Sequence, residues 1–192
     1  TNPYGNTKAI IEDIIRDTVA SDQNLRAISL RYFNPIGAHP SGLIGELPKG
    51  VPNNLVPYLV QAASGQREFL TVFGDDYETL DGTGVRDFIH VVDLAKAHIS
   101  ALEHLQKQKT PFYDVFNVGT GSGASVKELI AKFEEINGVK VPHKIGPRRP
   151  GDIAACFADP TKINTQMGWK AQKSIVDALR DAWNWEKNAK KE

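Results

Sequence analysis

DVFNVGTGSGASVKE, residues 114–128, decides the fold class, because it predicts a strand, a turn and a helix in immediate succession. Asp114 to Val118 is predicted to be a strand, which ends at Gly119-Thr120-Gly121. Ser125 with Glu128 three positions later predicts a capping box at the start of a helix, which Asn137-Gly138 ends. We interpret the glycines between strand and helix as a turn and not as a dinucleotide-binding fingerprint, because the spacing is incomplete.

The same alternation of strands and helices extends in both directions from this stretch. We predict a buried strand over 25–33 and further extended segments over 69–73, 85–90 and 140–145. Helices are expected over 54–64, 91–106, 160–167 and 174–187 and at the beginning of the chain. Residues 34–53 show no regular pattern, and a loop of this length inside a compact domain is usually functional or disordered. The sequence therefore predicts an α/β protein.

Composition and charge exclude several classes of function. The 23 basic residues balance the 23 acidic ones, so no net field attracts nucleic acid or an anionic membrane. The single cysteine, Cys156, fits a reducing compartment, and no apolar run reaches the ~20 residues that a membrane helix needs. We expect a cytoplasmic protein without nucleic-acid or membrane partners. The five histidines lack metal-ligand spacing, and the three tryptophans are most simply packing residues.

Tyr4 and Lys8 lie one helical turn apart at the beginning of the chain, where Asn2 is a candidate cap and Pro3 suits the first helical position. A tyrosine is normally a poor base at neutral pH. A nearby ammonium group and the helix N-terminus both favour its phenolate form. The pair is therefore a candidate general base for a sugar hydroxyl, and Gly5 leaves space beside the ring. Alone, such a pair also occurs by chance on helix surfaces.

An apolar stripe at helical spacing continues from this pair, formed by Ile10, Ile11, Ile14, Ile15 and Val19. It packs on the protein's own sheet or faces a second subunit. The helix begins without an initiator methionine or a preceding strand, so we expect the chain to be the C-terminal part of a longer protein.

Four longer motifs cover nearly the whole chain in order: RYFNPIGAHPSG (31–42), PNNL (52–55), DGTGVRDFIHV (81–91) and PRRPGD (147–152). With the Tyr4/Lys8 pair, they closely resemble the UDP-galactose 4-epimerases of the extended short-chain dehydrogenase/reductase family. The resemblance implies the C-terminal part of an NAD-binding, Rossmann-type doubly wound sheet, together with a small mixed α/β substrate-binding domain. It places residues 1–34 in the former and most of 35–192 in the latter, with some segments returning to the sheet.

The resemblance also implies the roles of individual residues. Tyr4 and Lys8 would be catalytic and would contact NAD together with Phe33. The UDP-sugar would be bound by Tyr32, Asn34, Asn54, Leu55, Thr71, Val72, Phe73, Arg86, Arg149, Asp152 and Cys156. The residue types suit these roles, because guanidinium groups bind phosphate, a backbone N–H at a helix start binds anions, and a carboxylate accepts bonds from ribose hydroxyls.

The chemistry implied is oxidation of the sugar at carbon 4, rotation of the 4-keto sugar about its diphosphate link, and reduction on the other face. The main NAD-binding element of the family is absent here, so we expect this chain alone to be inactive. A homodimer formed partly by the first helix is also implied. Cys156 stands where bacterial epimerases restricted to galactose and glucose carry a tyrosine, so we expect acceptance of N-acetylated sugars as well.

Other interpretations remain open at this stage. Arg86 with Asp87 could be a salt-bridged turn, Arg148-Arg149 a solvated charge pair, and Cys156 a buried cysteine without a role in specificity. The alternatives for function are a related UDP-sugar 4,6-dehydratase and a catalytically silent nucleotide-sugar-binding protein. An intact Tyr4/Lys8 pair argues against a pure binding protein, which does not need it.

Overall fold

The computed structural model describes residues 3–189, which form an α/β fold. The helices are α1 (Pro3–Ser21), α2 (Leu55–Ala63), α3 (Val91–Lys107), α4 (Val126–Asn137), α5 (Thr161–Met167) and α6 (Ile175–Ala189). The strands are β1 (Arg26–Tyr32), β2 (Asn34–Ile36), β3 (Leu70–Phe73), β4 (Val85–Arg86), β5 (Phe88–His90), β6 (Phe112–Val118), β7 (Ala124–Ser125), β8 (His143–Gly146) and β9 (Ala155–Cys156). The predicted alternation is confirmed. Asn2, the predicted cap of α1, lies outside the described residues.

The strand β1 is less buried than its sequence predicts. It pairs in parallel with β6 from Arg26 opposite Phe112 to Tyr32 opposite Val118. Within residues 3–189 it has no second strand partner. Its side chains are half-buried or exposed, so the prediction of a buried strand over 25–33 is wrong in this respect. Parallel strands become fully buried only when both faces and both edges are covered.

The chain changes strand partner between Phe33 and Asn34. The amide of Phe33 donates to the carbonyl of Val118 (3.2 Å), whereas that of Asn34 donates to the carbonyl of Asp87 (3.0 Å). From there β2 pairs in parallel with β5. The prediction of no regular structure from residue 34 onward is therefore wrong for these three residues. Ligand crevices in open α/β sheets form where the carboxyl ends of strands diverge in this way, which directs attention to Asn34.

Two further small sheets complete the fold. One pairs β3 with β8 in parallel, and the other has the order β7-β4-β9, with β4 antiparallel to β7 and parallel to β9. The two-residue strands β7 and β9 are absent from the predictions, because two residues carry no detectable periodicity. They hold Arg86, on the central strand β4, between Ala124 and Cys156.

Two apolar clusters form the core. The first joins α2, α4 and α6 to β3, and its fully buried members include Leu59, Leu129, Phe133 and Leu179. The second joins α3 and α5 to β6 through Leu94, Phe116, Ile163 and Trp169. The predicted packing role of the tryptophans is confirmed, since Trp169 is buried, Trp183 packs edge-on against Phe133 at 5.6 Å, and Trp185 donates to the carbonyl of Glu46 (2.9 Å).

Helix α4 begins and ends as predicted. The Ser125 hydroxyl accepts from the amide of Glu128 (3.0 Å), whose carboxylate accepts from the amide of Ser125 (3.4 Å). Gly138 ends the helix in the left-handed conformation, with φ of 65°. Within residues 3–189, no helix is both long enough and apolar enough to cross a membrane.

The buried carboxylate of Asp87 ties three segments together. It accepts hydrogen bonds from the backbone amides of Thr120 (3.0 Å), Gly121 (3.0 Å) and Ala158 (3.2 Å). Gly119 lies against this carboxylate so closely that a Cβ atom there would be 2.4 Å from Oδ2. The predicted turn after residue 118 is confirmed, and Asp87 fixes it next to the segment that follows β9.

Candidate functional site

A cleft of ≈ 160 Å³ opens where β2, the start of α2, β3 and β4 meet the loop 149–152. Its walls include nine residues that the sequence assigns to a nucleotide sugar: Asn34, Asn54, Leu55, Thr71, Val72, Phe73, Arg86, Arg149 and Asp152. They come from five separate segments of the chain, so the fold gathers residues that are up to 118 positions apart (152 − 34). We refer to this site as the cleft.

Two asparagines face the cleft from element ends. Asn34 opens β2 at the change of strand partner. Asn54 is the N-cap residue of α2, but its side chain makes no cap hydrogen bond. Its amide lies 3.5 Å from the carboxylate of Glu46. Leu55 is the first helical residue, where backbone N–H groups have no partner inside the helix. Both amide side chains and the start of α2 can therefore donate to an anion.

Arg86 is held rigidly on one side of the cleft. Its Nη1 donates to the carbonyls of Val85 (2.8 Å) and Ile153 (2.9 Å), and its Nη2 lies 3.8 Å from Asp152. Among the described residues Asp152 is its acidic partner, while the neighbouring Asp87 is bonded to backbone amides. The alternative of a salt-bridged Arg86/Asp87 turn is therefore wrong.

Arg149 lies across the cleft over the aromatic ring of Phe73. Its guanidinium carbon is 4.7 Å from the ring centroid, and its Nε donates to Asp152 Oδ2 at 3.0 Å. A guanidinium stacked in this way keeps its N–H edges free for in-plane acceptors. Two arginines and one carboxylate thus form the charged end of the cleft.

Tyr77 is a part of the site that the sequence did not assign, and Arg148 packs against it. Tyr77 lines the cleft and is only 7% exposed, and the Arg148 guanidinium lies 4.2 Å above its ring. Arg148 also donates to Asp76 (2.6 Å), which holds the pKa of that carboxyl below its usual value. Arg148 and Arg149 are 48% and 56% exposed, as a solvated charge pair would be, but each is also paired with a carboxylate, that of Asp76 or of Asp152. The available signal was a lone tyrosine within an otherwise polar turn, residues 74–84.

Tyr4 and Lys8 share a face of α1, as their spacing predicts. The Lys8 ammonium lies 5.2 Å from the centroid of the Tyr4 ring, and Tyr4 is 72% exposed. One turn further, Glu12 accepts from Nε of Arg31 (2.7 Å) and from its Nη2. The hydrogen bond to Arg31 holds the pKa of Glu12 below its usual value. Glu12 is thereby occupied by Arg31, and Lys8 extends toward the phenol.

Five of the predicted site residues do not line the cleft: Tyr4, Lys8, Tyr32, Phe33 and Cys156. Tyr32 is exposed and tilted against His98 with ring centroids 6.5 Å apart, and Phe33 is half-buried at the end of β1. Cys156 is half-buried and lies opposite Arg86 in the β4–β9 pair, so the two side chains share one face of that sheet. Among residues 3–189, no group of histidine, cysteine and acidic side chains is arranged to hold a metal ion.

Comparison with known proteins gives consistent matches. The model of the NAD dependent epimerase/dehydratase family matches residues 1–119. A UDP-glucose 4-epimerase of Bacillus subtilis is 52% identical over 186 residues, covering 97% of this chain and 54% of the relative. A UDP-glucose 4-epimerase of Dictyostelium discoideum is 54% identical with the same coverage.

Solved structures give the same result. The UDP-glucose-4-epimerase of Stenotrophomonas maltophila, with bound NAD and formylated UDP-arabinopyranose, superposes with a TM-score of 0.94 at 50% identity. The superposition covers 100% of this chain and 56% of the Stenotrophomonas chain. The enzyme of Bifidobacterium longum, in complex with NAD+ and UDP, has a TM-score of 0.92 at 50% identity, with 98% of this chain and 55% of that chain covered. The chain thus spans about half the length of the relatives it matches.

Proposed function

Because this chain belongs to the NAD dependent epimerase/dehydratase family, we propose that it is the nucleotide-sugar-binding part of a UDP-glucose 4-epimerase. The complete gene product would interconvert UDP-galactose and UDP-glucose in galactose metabolism, using NAD. Residues 1–34 would belong to the NAD-binding domain and most of 35–192 to the substrate domain. The unpaired thiol of Cys156 supports a reducing, cytoplasmic location.

The observation that carries this proposal is the charged end of the cleft. Arg86 and Arg149 converge on it from two different segments, and the amide of Asn54 and the start of α2 lie along the same wall. Guanidinium groups and helix N-termini are the donors that proteins use for phosphate oxygens. Asp152 adds an acceptor for hydroxyl groups, and Thr71 to Phe73 add a strand edge for a planar base. A nucleoside diphosphate offers phosphates, hydroxyls and a base in one molecule.

Tyr4, Lys8 and Phe33 fit the nicotinamide end of NAD. The phenol and the ammonium group are exposed on one helix face, and Phe33 directly follows β1, whose Arg31 is bonded to Glu12 on the same helix. Removal and return of the hydride at carbon 4 of the sugar would be supplied by NAD bound at this end. Lys8 would donate to the ribose hydroxyls and stabilise the ionised phenol.

The chain's own residues would then act in two places. Tyr4 Oη would take the proton of the sugar 4-hydroxyl and later return it. In the cleft, Arg86 and Arg149 would hold the diphosphate, leaving the hexose free to turn and present its other face. Holding the ligand by its charged linker and not by the sugar is what allows one base to serve both epimers.

The test is conversion of UDP-galactose to UDP-glucose by the complete gene product. Tyr4→Phe is expected to lower kcat by at least about a hundredfold while UDP binding stays within about twofold, because the phenol serves proton transfer and the cleft serves binding. A control is Tyr113→Phe, which removes a phenol bonded to Ser29 outside the cleft. Formation of a 4-keto-6-deoxy sugar would favour the dehydratase alternative, and UDP binding without turnover would favour the silent binding protein.

We further propose that the complete protein accepts UDP-N-acetylglucosamine and its galacto epimer. Cys156 lies beside Arg86 on one sheet face, and its small thiol leaves volume that a phenol would fill. Cys156→Tyr is expected to remove turnover of the acetylated sugars and to change that of UDP-galactose by less than about threefold. Rates for both substrates measure this. Equal loss for both would show that Cys156 does not select substrate size.

A homodimer is the proposed assembly. Ile10, Ile11 and Ile14 of α1 are 47%, 46% and 59% exposed, whereas Val19 on the same helix is buried on its own domain. An exposed apolar stripe of this kind suits a partner helix. Light scattering of the complete gene product measures the mass, and a monomer would contradict the proposal.

A further inference from the structure

In the described structure, a carboxylate of the protein itself lies against both arginines of the cleft. Asp152 Oδ2 accepts from Arg149 Nε at 3.0 Å, and Oδ1 lies 3.8 Å from Arg86 Nη2. The backbone amide of Asp152 also donates to the carbonyl of Arg149 (3.2 Å), so the turn 149–152 holds the two side chains next to each other. Asp152 thus occupies the position between the two guanidinium groups that a bound anion would use.

This carboxylate is unfavourable for an anion alone. A diphosphate bonded to Arg86 and Arg149 comes within a few ångströms of Asp152, and two like charges at such a distance repel each other. An anion on the Nη groups of Arg149 also shares that guanidinium with Asp152, which is bonded to its Nε, and so weakens the pairing of this acceptor-only group. If the cleft served to bind any diphosphate, whatever group is attached to it, its affinity would be higher without the carboxylate of Asp152.

A ligand that carries hydroxyl donors next to its phosphates offsets the unfavourable interaction with Asp152. Two vicinal hydroxyls, such as those of a ribose, can replace the Nε–H group of Arg149 as donors to Asp152. The arginines are then released to the phosphates, and every charged group has a partner.

We propose that Asp152 is a specificity-determining residue, which rejects inorganic di- and polyphosphates and admits only diphosphates joined to a diol. This inference rests on the proposed function of the cleft. It adds to the binding of a nucleoside diphosphate the rejection of inorganic diphosphate. Discrimination by placing a like charge against the wrong ligand is a general device of specific sites.

The experiment is calorimetric titration of the complete gene product with UDP and with inorganic diphosphate, without magnesium and at low ionic strength. Asp152→Asn keeps the shape of the side chain and removes its charge. We expect it to bind inorganic diphosphate at least about threefold more tightly, and UDP no more tightly than the unaltered protein. The preference for UDP over inorganic diphosphate should therefore fall, and the gain for inorganic diphosphate should shrink at high salt.

Asp13→Asn is the matched control, because Asp13 also pairs with an arginine three positions away, Arg16 at 2.7 Å, but lies on α1. It changes net charge equally and should alter neither affinity. Asp152→Ser is a second variant, which keeps a small polar side chain if the asparagine form melts early. Unchanged or weaker binding of inorganic diphosphate by both variants would overturn the inference, as would equal tightening for both ligands. Failure of the unaltered chain to bind UDP would instead overturn the proposed function, and the inference with it.

Discussion

Individual residues of the cleft differ in how far the sequence reveals them. Arg86, Arg149 and Asp152 stand in motifs whose family resemblance assigns them to a nucleotide sugar, and the structure shows that all three line one cleft. Tyr77 and Asp87 could not be assigned, because their function depends on contacts with distant residues. Asp87 binds amides at 120, 121 and 158, and Tyr77 packs under Arg148. Such partners are fixed by the fold and leave no local pattern.

His90 gives a prediction for pH dependence. Its Nδ1 accepts from the amide of Val92 (3.0 Å), so the proton resides on Nε2, which donates to Asp181 (3.1 Å). Burial lowers the pKa of His90, and the bond to Asp181 only partly opposes this. Because the folded pKa is below the unfolded value of about 6.5, the unfolded chain takes up the proton first as the pH falls.

The free energy of unfolding should therefore decrease as the pH falls from 7 to 5, by at most about 1.4 kcal/mol per pH unit from this residue. His90→Gln should lower stability at pH 7 and flatten this part of the profile. Urea unfolding at several pH values measures both. The charges of Lys173 and Asp93 also act on the His90 imidazole. Lys173→Gln therefore serves as a control for the effect of these neighbouring charges on the pKa of His90. An unchanged slope in His90→Gln would show that other groups cause the pH dependence.

Among the helices and strands, the long elements were predictable and the short ones were not. The capping box of α4 and the apolar run of β6 are local signals, and both are confirmed. β9 has two residues and is a strand only because β4 lies beside it. Likewise β1 has the sequence of a buried strand, but its burial depends on neighbours, of which β6 is the one strand within residues 3–189. Pairing and burial belong to tertiary structure and override local preference.

The turn between β6 and β7 gives a prediction for stability. A Cβ at Gly119 would lie 2.4 Å from Asp87 Oδ2 and 2.6 Å from Cβ of Ala158. Neither atom can move without breaking the hydrogen bonds that the Asp87 carboxylate accepts from backbone amides. Gly119→Ala should therefore cost about 2–3 kcal/mol of unfolding free energy. Gly138→Ala is the control, since a Cβ there meets open space and only the left-handed backbone costs about 1 kcal/mol. Thermal unfolding measures both, and equal losses would contradict this account of the turn.

For the molecule as a whole, the fold gathers nine predicted ligand residues from five segments into one cleft. The Tyr4/Lys8 pair lies outside that cleft on α1, whose first turns extend toward the end of β1 that leads to Asn34, because Glu12 of α1 is bonded to Arg31 near that end. This separation suits a division of labour in which the cleft fixes the charged linker and the helix serves the reacting hydroxyl. The sequence identified both groups of residues through motifs, but only the fold shows that Arg86 is anchored by two carbonyls before any ligand arrives.

The central claim is that the arginines of the cleft bind the diphosphate of UDP, and calorimetric titration of this chain with UDP in the absence of NAD tests it most directly. The account predicts saturable binding with one site per chain and at least about tenfold weaker binding for Arg86→Ala, because a charged donor pair is lost. Arg16→Ala, which removes an arginine on α1, should bind as the unaltered chain does. Equal affinity of Arg86→Ala and the unaltered chain, or no binding of UDP at all, would contradict the account.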